Sequence, residues 1–387
     1  MPVNLTTANK ALKEFYLSVV ADQINLHTNP FYARVKQSEN YVSGNRVVKL
    51  CRVGLNGGIG AGSETGNLPT SAGNNYVQFS TELKNLYGQI TISDKAIQAS
   101  ANSSGAFVNL LTDEMESLLS AAKYNFSRML YGTGEGVLTT TKANSNTTTL
   151  LVDDTTGLVE GLVIDLLSSS GTPLTNGLAR TIASVDRVAH SITLTGAAVT
   201  TTPSSQITVQ GSLFNEITGL GAIFSSVGSL YGQPIGGWLK PHSQSAVGAI
   251  SDLKIQTAID TVEGRSGSNV DFITCSYGVR RAYVQELAQK SRNLDVVKLD
   301  GGFTAISYAG IPVYADRFCP AGTMFLLDTS AFTLHQLCDW RWIENSNGQV
   351  LHQVSGTPYY TATLVKYAEL MCDRPNAQAK LSGISEA

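Results

Sequence analysis

GAFVNLLTDEMESLLSAAKYNFSRML, residues 105–130, carries the clearest periodicity in the sequence. Phe107, Leu111, Met115, Leu118, Ala122, Phe126 and Met129 recur at steps of four or three, so they line one face of a single helix. Asp113, Glu114 and Glu116 lie toward its start and Lys123 and Arg128 toward its end, the order that a helix dipole favours. At ~1.5 Å per residue such a helix approaches ~40 Å. Gly132-Thr133-Gly134-Glu135-Gly136 ends it.

Upstream, residues 86–93 form a strand candidate with Ile90 and Ile92 on one side. Before it stand two strand-like runs, 46–55 and 76–83, joined by GLNGGIGAGSETGNLPTSAGNN. A connector of about twenty residues without periodicity far exceeds a hairpin loop of two to five, and such connections tend to be functional or disordered. The first segment predicts an amphipathic helix capped by Thr6 or Thr7, with Leu12, Phe15, Tyr16, Val19, Val20 and Ile24 at helical spacing and Pro30 as its stop. So near the terminus it has little core of its own, and it is either a satellite or an arm reaching a neighbour.

Downstream, composition changes abruptly. Residues 138–211 are rich in Thr, Ser, Gly and Val and hold only eight charged side chains, too few for an ordinary solvated surface. Alternating runs at 149–152, 162–167, 179–185, 191–194 and 206–209 predict a small all-β barrel or sandwich, inserted as a unit with its chain ends close together. Mixed α/β character then returns. Ser251 caps a helix with Ile255, Ala258, Ile259 and Val262 on its buried face. The strand 272–275 leads to a helix capped by Ser276, with Val279, Ala282, Tyr283 and Leu287 turned inward. Strand candidates follow at 295–299, 311–315 and 324–327, with a Gly301-Gly302 turn, and 359–372 makes a long strand closed by Asp373-Arg374-Pro375. The fold class is α+β.

At 387 residues the chain exceeds what one core usually serves, so two or three domains are expected. Charged residues are only 15% against a usual quarter, which suggests a surface covered by copies of itself. The net charge of −3, without a basic tract, argues against a dedicated nucleic-acid reader but not against a container that tolerates packed DNA. Five scattered cysteines without C-x-x-C point to buried thiols rather than a disulfide framework or zinc ribbon. There is no secretion signal and no apolar run approaching ~18 residues, so the product is expected to be soluble at synthesis.

No catalytic or cofactor signature is found: no Walker A run, no G-x-S-x-G and no H-E-x-x-H. Gly58-Ile59-Gly60-Ala61-Gly62 is followed by Pro69 and Asn74-Asn75 instead of a helix, so it fits a flexible hairpin tip and not a phosphate cradle. His335, Cys338 and Asp339 lack further metal ligands at a familiar spacing and fit strand residues near a core. Arg280-Arg281 with Lys290 and Arg292 fits a solvated helix face, with an inter-subunit salt link or DNA contact as alternatives. Trp340-Arg341-Trp342 puts both rings on one side of a strand, for core packing or for burial against a neighbouring subunit.

In order, these elements resemble the Hong Kong-type fold of tailed-bacteriophage major capsid proteins, over nearly the whole chain. TTANKALKEFYL resembles the opening of such proteins, Gly132-Thr133-Gly134 the close of their spine helix, and the run from Tyr308 to Val313 with Pro320-Ala321-Gly322-Thr323 their axial-domain strand and turn. Asp373-Arg374-Pro375-Asn376-Ala377 resembles the closing strand. The resemblance implies an N-terminal arm at 1–40, an extended loop at 41–93, a peripheral domain with the spine helix at 94–137, an inserted β-rich domain at 138–215, an axial domain at 216–335 and closing peripheral strands at 336–387. It implies a structural protein, not an enzyme, and no cofactor or metal. Hexamers and pentamers would tile an icosahedral shell around double-stranded DNA, made in a host cytoplasm and carried in the virion. Scaffolding, portal and decoration proteins are the implied partners, with no membrane. Gly57, Gly58, Gly60, Gly62, Trp340, Trp342, Arg280 and Arg281 are the candidate assembly contacts.

Two family features look absent. The tip, 54–76, has no Lys and 354–360 has no Asn, so no Lys–Asn isopeptide cross-link is expected; gel bands at multiples of the subunit mass would refute this. Met1 leads straight into the arm, so a separate scaffolding protein or none is expected. An encapsulin-like compartment and a cell-envelope or S-layer subunit are the alternatives.

Overall fold

The computed structural model describes residues 29–39, 46–101, 110–289, 296–298, 304–344 and 348–387. The first predicted helix, the start of the long one, the Gly301-Gly302 turn, Lys290 and Arg292 lie outside these residues.

Pro30, read as the stop of a helix that lies outside the described residues, opens a helix, α1 (Pro30–Arg34), where a missing N–H costs nothing and Asn29 Oδ1 accepts from Phe31 N–H at 2.8 Å. The short β1 (Lys36–Ser38) follows. β2 (Val47–Val53) and β3 (Asn75–Thr81) pair antiparallel from Val47↔Thr81 to Val53↔Asn75, as the two predicted runs require. β4 (Lys84–Ser93) buries Leu86, Ile90 and Ile92 on one face. A short helix that the sequence reading missed, α2 (Asp94–Ala101), precedes the long helix α3 (Leu110–Met129). Twenty residues make α3 about 30 Å long. Its predicted stripe is half-buried at Leu111, Met115, Leu118 and Ala122 and fully buried at Phe126 and Met129.

Eight short strands come next: β5 (Val137–Thr140), β6 (Asn144–Thr147), β7 (Thr149–Leu151), β8 (Val163–Leu167), β9 (Arg180–Asp186), β10 (Ser191–Leu194), β11 (Val199–Thr201) and β12 (Gln206–Val209). Six form a sheet in the order β5-β12-β8-β9-β10-β7, and β6 pairs with β11. Thr141 bridges to Val152, with Lys142 N–H donating to Leu151 O and Asp153 N–H to Thr140 O, each at 2.9 Å. These bonds join the last strand to the first, so the sheet closes into a barrel. Leu150, Ile164, Leu166, Ile182, Ile192 and Ile207 fill it. Two buried charged side chains of the barrel are hydrogen-bonded to its backbone, as burial away from water favours. Asp165 accepts from the N–H of Ala179 and Gly211, both at 2.8 Å, and the Arg180 guanidinium donates to the carbonyls of Asn176, Thr195 and Ala197. The barrel's chain ends are adjacent, since Phe214 N–H donates to Glu135 O at 2.8 Å.

The remaining elements are α4 (Leu220–Ile223), the hairpin β13 (Ser229–Leu230) and β14 (Gln233–Pro234), β15 (His242–Gln244), α5 (Asp252–Ser266), β16 (Phe272–Cys275), α6 (Tyr277–Gln289), β17 (Val296–Lys298), β18 (Thr304–Tyr308), β19 (Ile311–Ala315), β20 (Met324–Leu327), β21 (Phe332–Trp342), β22 (His352–Gln353), β23 (Tyr359–Cys372) and β24 (Ala379–Leu381). Seven strands form a mixed sheet, β15-β24-β20-β16-β19-β18-β17. Against it pack Ile255, Ala258, Ile259 and Val262 of α5 and Val279, Tyr283 and Leu287 of α6, the residues the helical spacing selects. Ser251 holds the N-cap position of α5, but its side chain does not cap; its carbonyl accepts from Lys254 and Ile255. Residues 375–377 make a 3-10 turn, and the closing strand is β24, which lies between β15 and β20.

The described residues divide into two compact units, one of 87–124 with 340–365, the other of 29–86, 125–339 and 366–387. In the first, β22 pairs antiparallel with the early part of β23, His352↔Thr361. The second holds the barrel, the seven-stranded sheet and the β2–β3 ribbon. There β1 runs parallel to β21, Lys36↔Thr333, and the Phe31 ring lies 5.4 Å from Phe332.

Candidate assembly surfaces

The ribbon has two unlike faces because side chains alternate along a strand. Its inner face is anchored. Phe79 is fully buried, stacked 5.9 Å from Trp238 and tilted 5.6 Å from Tyr231. Lys49 Nζ lies 2.5 Å from Asp373 Oδ2, and Ser80 N–H donates to Tyr231 O at 3.0 Å. The outer face carries Val48, Leu50 and Tyr76, all exposed. Beyond the strands the connector bares Leu55, Ile59 and Leu68 at 88%, 80% and 90% exposure. Covering each such side chain stabilises by roughly 1.5–3 kcal/mol, so a free ribbon is an unspent adhesive surface.

The tip glycines keep its two legs close. A Cβ on Gly58 would stand 3.1 Å from Ala72 N, one on Gly60 3.2 Å from Pro69 Cβ, and those on Gly57 and Gly62 3.7 Å from Ala72 Cβ and Asn67 O. Gly54, at φ +73°, turns the chain out of β2.

Trp340 and Trp342 end β21, half-buried on one side of the strand, while Arg341 between them is exposed. Arg280 and Arg281 are exposed on α6. Arg280 stacks over the Tyr277 ring at 5.4 Å, and Arg281 Nε donates to Ala387 O at 2.6 Å. Trp340 and Trp342 thus belong to one compact unit, and the tip glycines and the two arginines to the other. His335 is buried, and burial lowers its pKa, with Lys49 adding to that and Asp373 opposing it.

Sequence reasoning missed several charged groups inside the fold. Lys366 of β23 is fully buried, donating to Gln336 Oε1 at 2.9 Å and Asp339 Oδ1 at 2.6 Å, with its ammonium over the Phe126 ring. Glu369, three residues on, is buried as well. Arg128, at the end of α3, pairs with the buried Glu216. A lysine and a glutamate within an otherwise apolar run, TLVKYAELMC, were the available signal. No helix among the described residues is long and apolar enough to cross a membrane.

This architecture is the tailed-phage capsid fold. The chain is similar over 99% of its length to the whole of a chain in the cyanophage A-1(L) capsid asymmetric unit, at 11% identity and a TM-score of 0.62. The capsid of the native GTA particle is similar over 99% of both chains, at 11% identity and a TM-score of 0.57. The SrpI encapsulin complex from Synechococcus elongatus PCC 7942 contains a chain similar over 100% of this one and 97% of its own length, at 10% identity and a TM-score of 0.52. No protein-family model matches the sequence, and no curated protein matches it.

Proposed function

We propose that this chain is the major structural subunit of an icosahedral phage capsid, not an enzyme. The observation that carries the proposal is end-to-end similarity to the cyanophage capsid chain, combined with a ribbon that bares large apolar side chains on its outer face and at its tip. A subunit that leaves such side chains bare gains by laying them across neighbours. Contacts of about 1,600 Å² each, repeated around every subunit, hold a shell together although each is modest. Hexamers and pentamers enclosing double-stranded DNA are the assembly we infer, with the near-neutral chain holding DNA without reading its sequence. Scaffolding, portal and decoration proteins are its partners in this account, and the host cytoplasm is where it is made.

In this assembly the tip at Gly57, Gly58, Gly60 and Gly62 reaches a neighbour, Trp340 and Trp342 complete their burial against another subunit, and Arg280 and Arg281 form inter-subunit salt links. Residues 138–215 act as an inserted domain, which the adjacent chain ends at Glu135 and Phe214 favour. The other divisions follow the family plan: arm 1–40, loop 41–93, peripheral 94–137 and 336–387, axial 216–335.

An encapsulin-like compartment is the second reading, favoured by the full-length similarity to the encapsulin chain but at a lower TM-score, 0.52 against 0.62. Purified particles decide between them. Packaged DNA, together with portal and scaffolding proteins from co-expressed genomic neighbours, is expected; cargo enzyme inside portal-free particles would favour the compartment.

A further inference from the structure

Four parts of one compact unit meet at the chain segment 214–221. Lys84 at the ribbon's base donates from Nζ to Phe214 O at 2.9 Å. Arg128 at the end of α3 pairs with Glu216. Leu220 N–H donates to Leu130 O at 2.8 Å, just past the helix. Gly219 lies so close to the helix end that a Cβ on it would stand 2.6 Å from Gly132 O. From the long strand β23, Glu369 Oε1 accepts the Thr218 N–H at 2.7 Å.

Glu369 is the unusual member. It is fully buried, its Oε1 is bonded to Thr218 and to Leu370 N–H at 3.2 Å, and its Oε2 has no hydrogen-bond partner among the described residues. A buried carboxylate with one oxygen unsatisfied is costly in its charged form. The groups facing it are Thr218 and Lys84, which favour the charge, and Tyr231 on the β13–β14 hairpin. The Arg128–Glu216 pair is internally neutral. Thr218 and Lys84 also line an open groove of about 1040 Å³, so water reaches the junction's edge.

We propose that Glu369 is a proton-responsive strut, whose protonation tightens the junction of ribbon base, long helix, barrel exit and the long strand β23, and whose ionisation loosens it. Burial, against opposing hydrogen bonds from Thr218 and the Lys84 charge, raises its pKa to about 7. A carboxyl raised above its ordinary value stabilises the fold below that ordinary value and loses the contribution as pH climbs through about 7. The junction is therefore firmer in mild acid than in mild alkali.

Thermal unfolding of the full-length protein from about pH 5 to about pH 8 tests this, alongside hydrogen exchange of the amides of residues 212–222 corrected for intrinsic rates. The wild type is expected to lose melting temperature and protection in this segment as pH rises, and Glu369→Gln to lose markedly less melting temperature, Asp316 still titrating, and no protection in the segment. Parallel pH profiles in both proteins would overturn the proposal. If Glu369→Gln does not fold, the wild type decides alone: segment protection that is the same at both ends of the range would also overturn it. Neither readout depends on whether the protein builds shells.

Discussion

Gly219 and Arg128 show how single side chains fix this fold. Gly219 has no room for a methyl group between Met129 O and Gly132, so Gly219→Ala is expected to destabilise by roughly 3 kcal/mol or more in chemical denaturation. Gly248, with φ +67° and nothing near its Cβ position, should cost only about 1–2 kcal/mol on the same substitution. Arg128→Ala strands the buried Glu216 without its cation, and a loss of about 3–5 kcal/mol is expected by the same measurement. Asp316 is a second proton-sensitive group. Chiefly through burial its pKa rises to about 6, although Phe318 N–H and Asn29 bond to it. Its stabilising contribution is lost as pH rises through about 6, so stability should fall between about pH 5 and pH 7 in the wild type and less in Asp316→Asn. An equal fall in both would refute that assignment. Of these residues only Arg128 stood out beforehand, as a cation at a helix end and not as the partner of Glu216. Burial and hydrogen-bond partners are set by segments distant in sequence, as between Asn29 and Asp316, and spacing along one strand cannot reveal them.

Elements were far more legible. Periodicity placed α3, α5, α6, β16 and β23 and the inward faces of both later helices, because one buried face imposes a repeat of 3.6 or 2 on the local sequence. The ribbon was readable from two alternating runs with a Gly-rich connector between them. What stayed hidden was what depends on pairing: β5, β6, β11 and β18 carry weak alternation and form because a partner strand supplies their hydrogen bonds. The helix that opens at Pro30 was not read, because proline both ends helices and starts them, and the Asn29 cap that marks the start shows only in the fold. The barrel gives an element-scale prediction. Replacing residues 138–210 by a short Gly-Ser linker should leave the seven-stranded sheet folded, since Glu135 and Phe214 already touch. Retained far-ultraviolet circular dichroism for the remainder and a cooperative melt are the expected results; an aggregated product would show that the barrel is needed for the host fold.

For the whole molecule, the order of arm, ribbon, long helix and returning strands pointed to a shell subunit before any coordinates, whereas the individual assembly contacts did not follow from it. Gly57, Gly58, Gly60, Gly62, Trp340, Trp342, Arg280 and Arg281 would meet other copies in the assembly proposed here, and a single chain's sequence holds no record of such pairing. Removing residues 55–74 should spare the subunit's fold, because β2 and β3 remain anchored through Phe79, yet abolish assembly in size-exclusion chromatography. The most direct test of the account is electron microscopy of the expressed protein, alone and with its genomic neighbours. Closed particles built of six-fold and five-fold rings are the predicted result. A protein that stays a monomer at every concentration and with every neighbour, its apolar ribbon folded against its own surface, would contradict it.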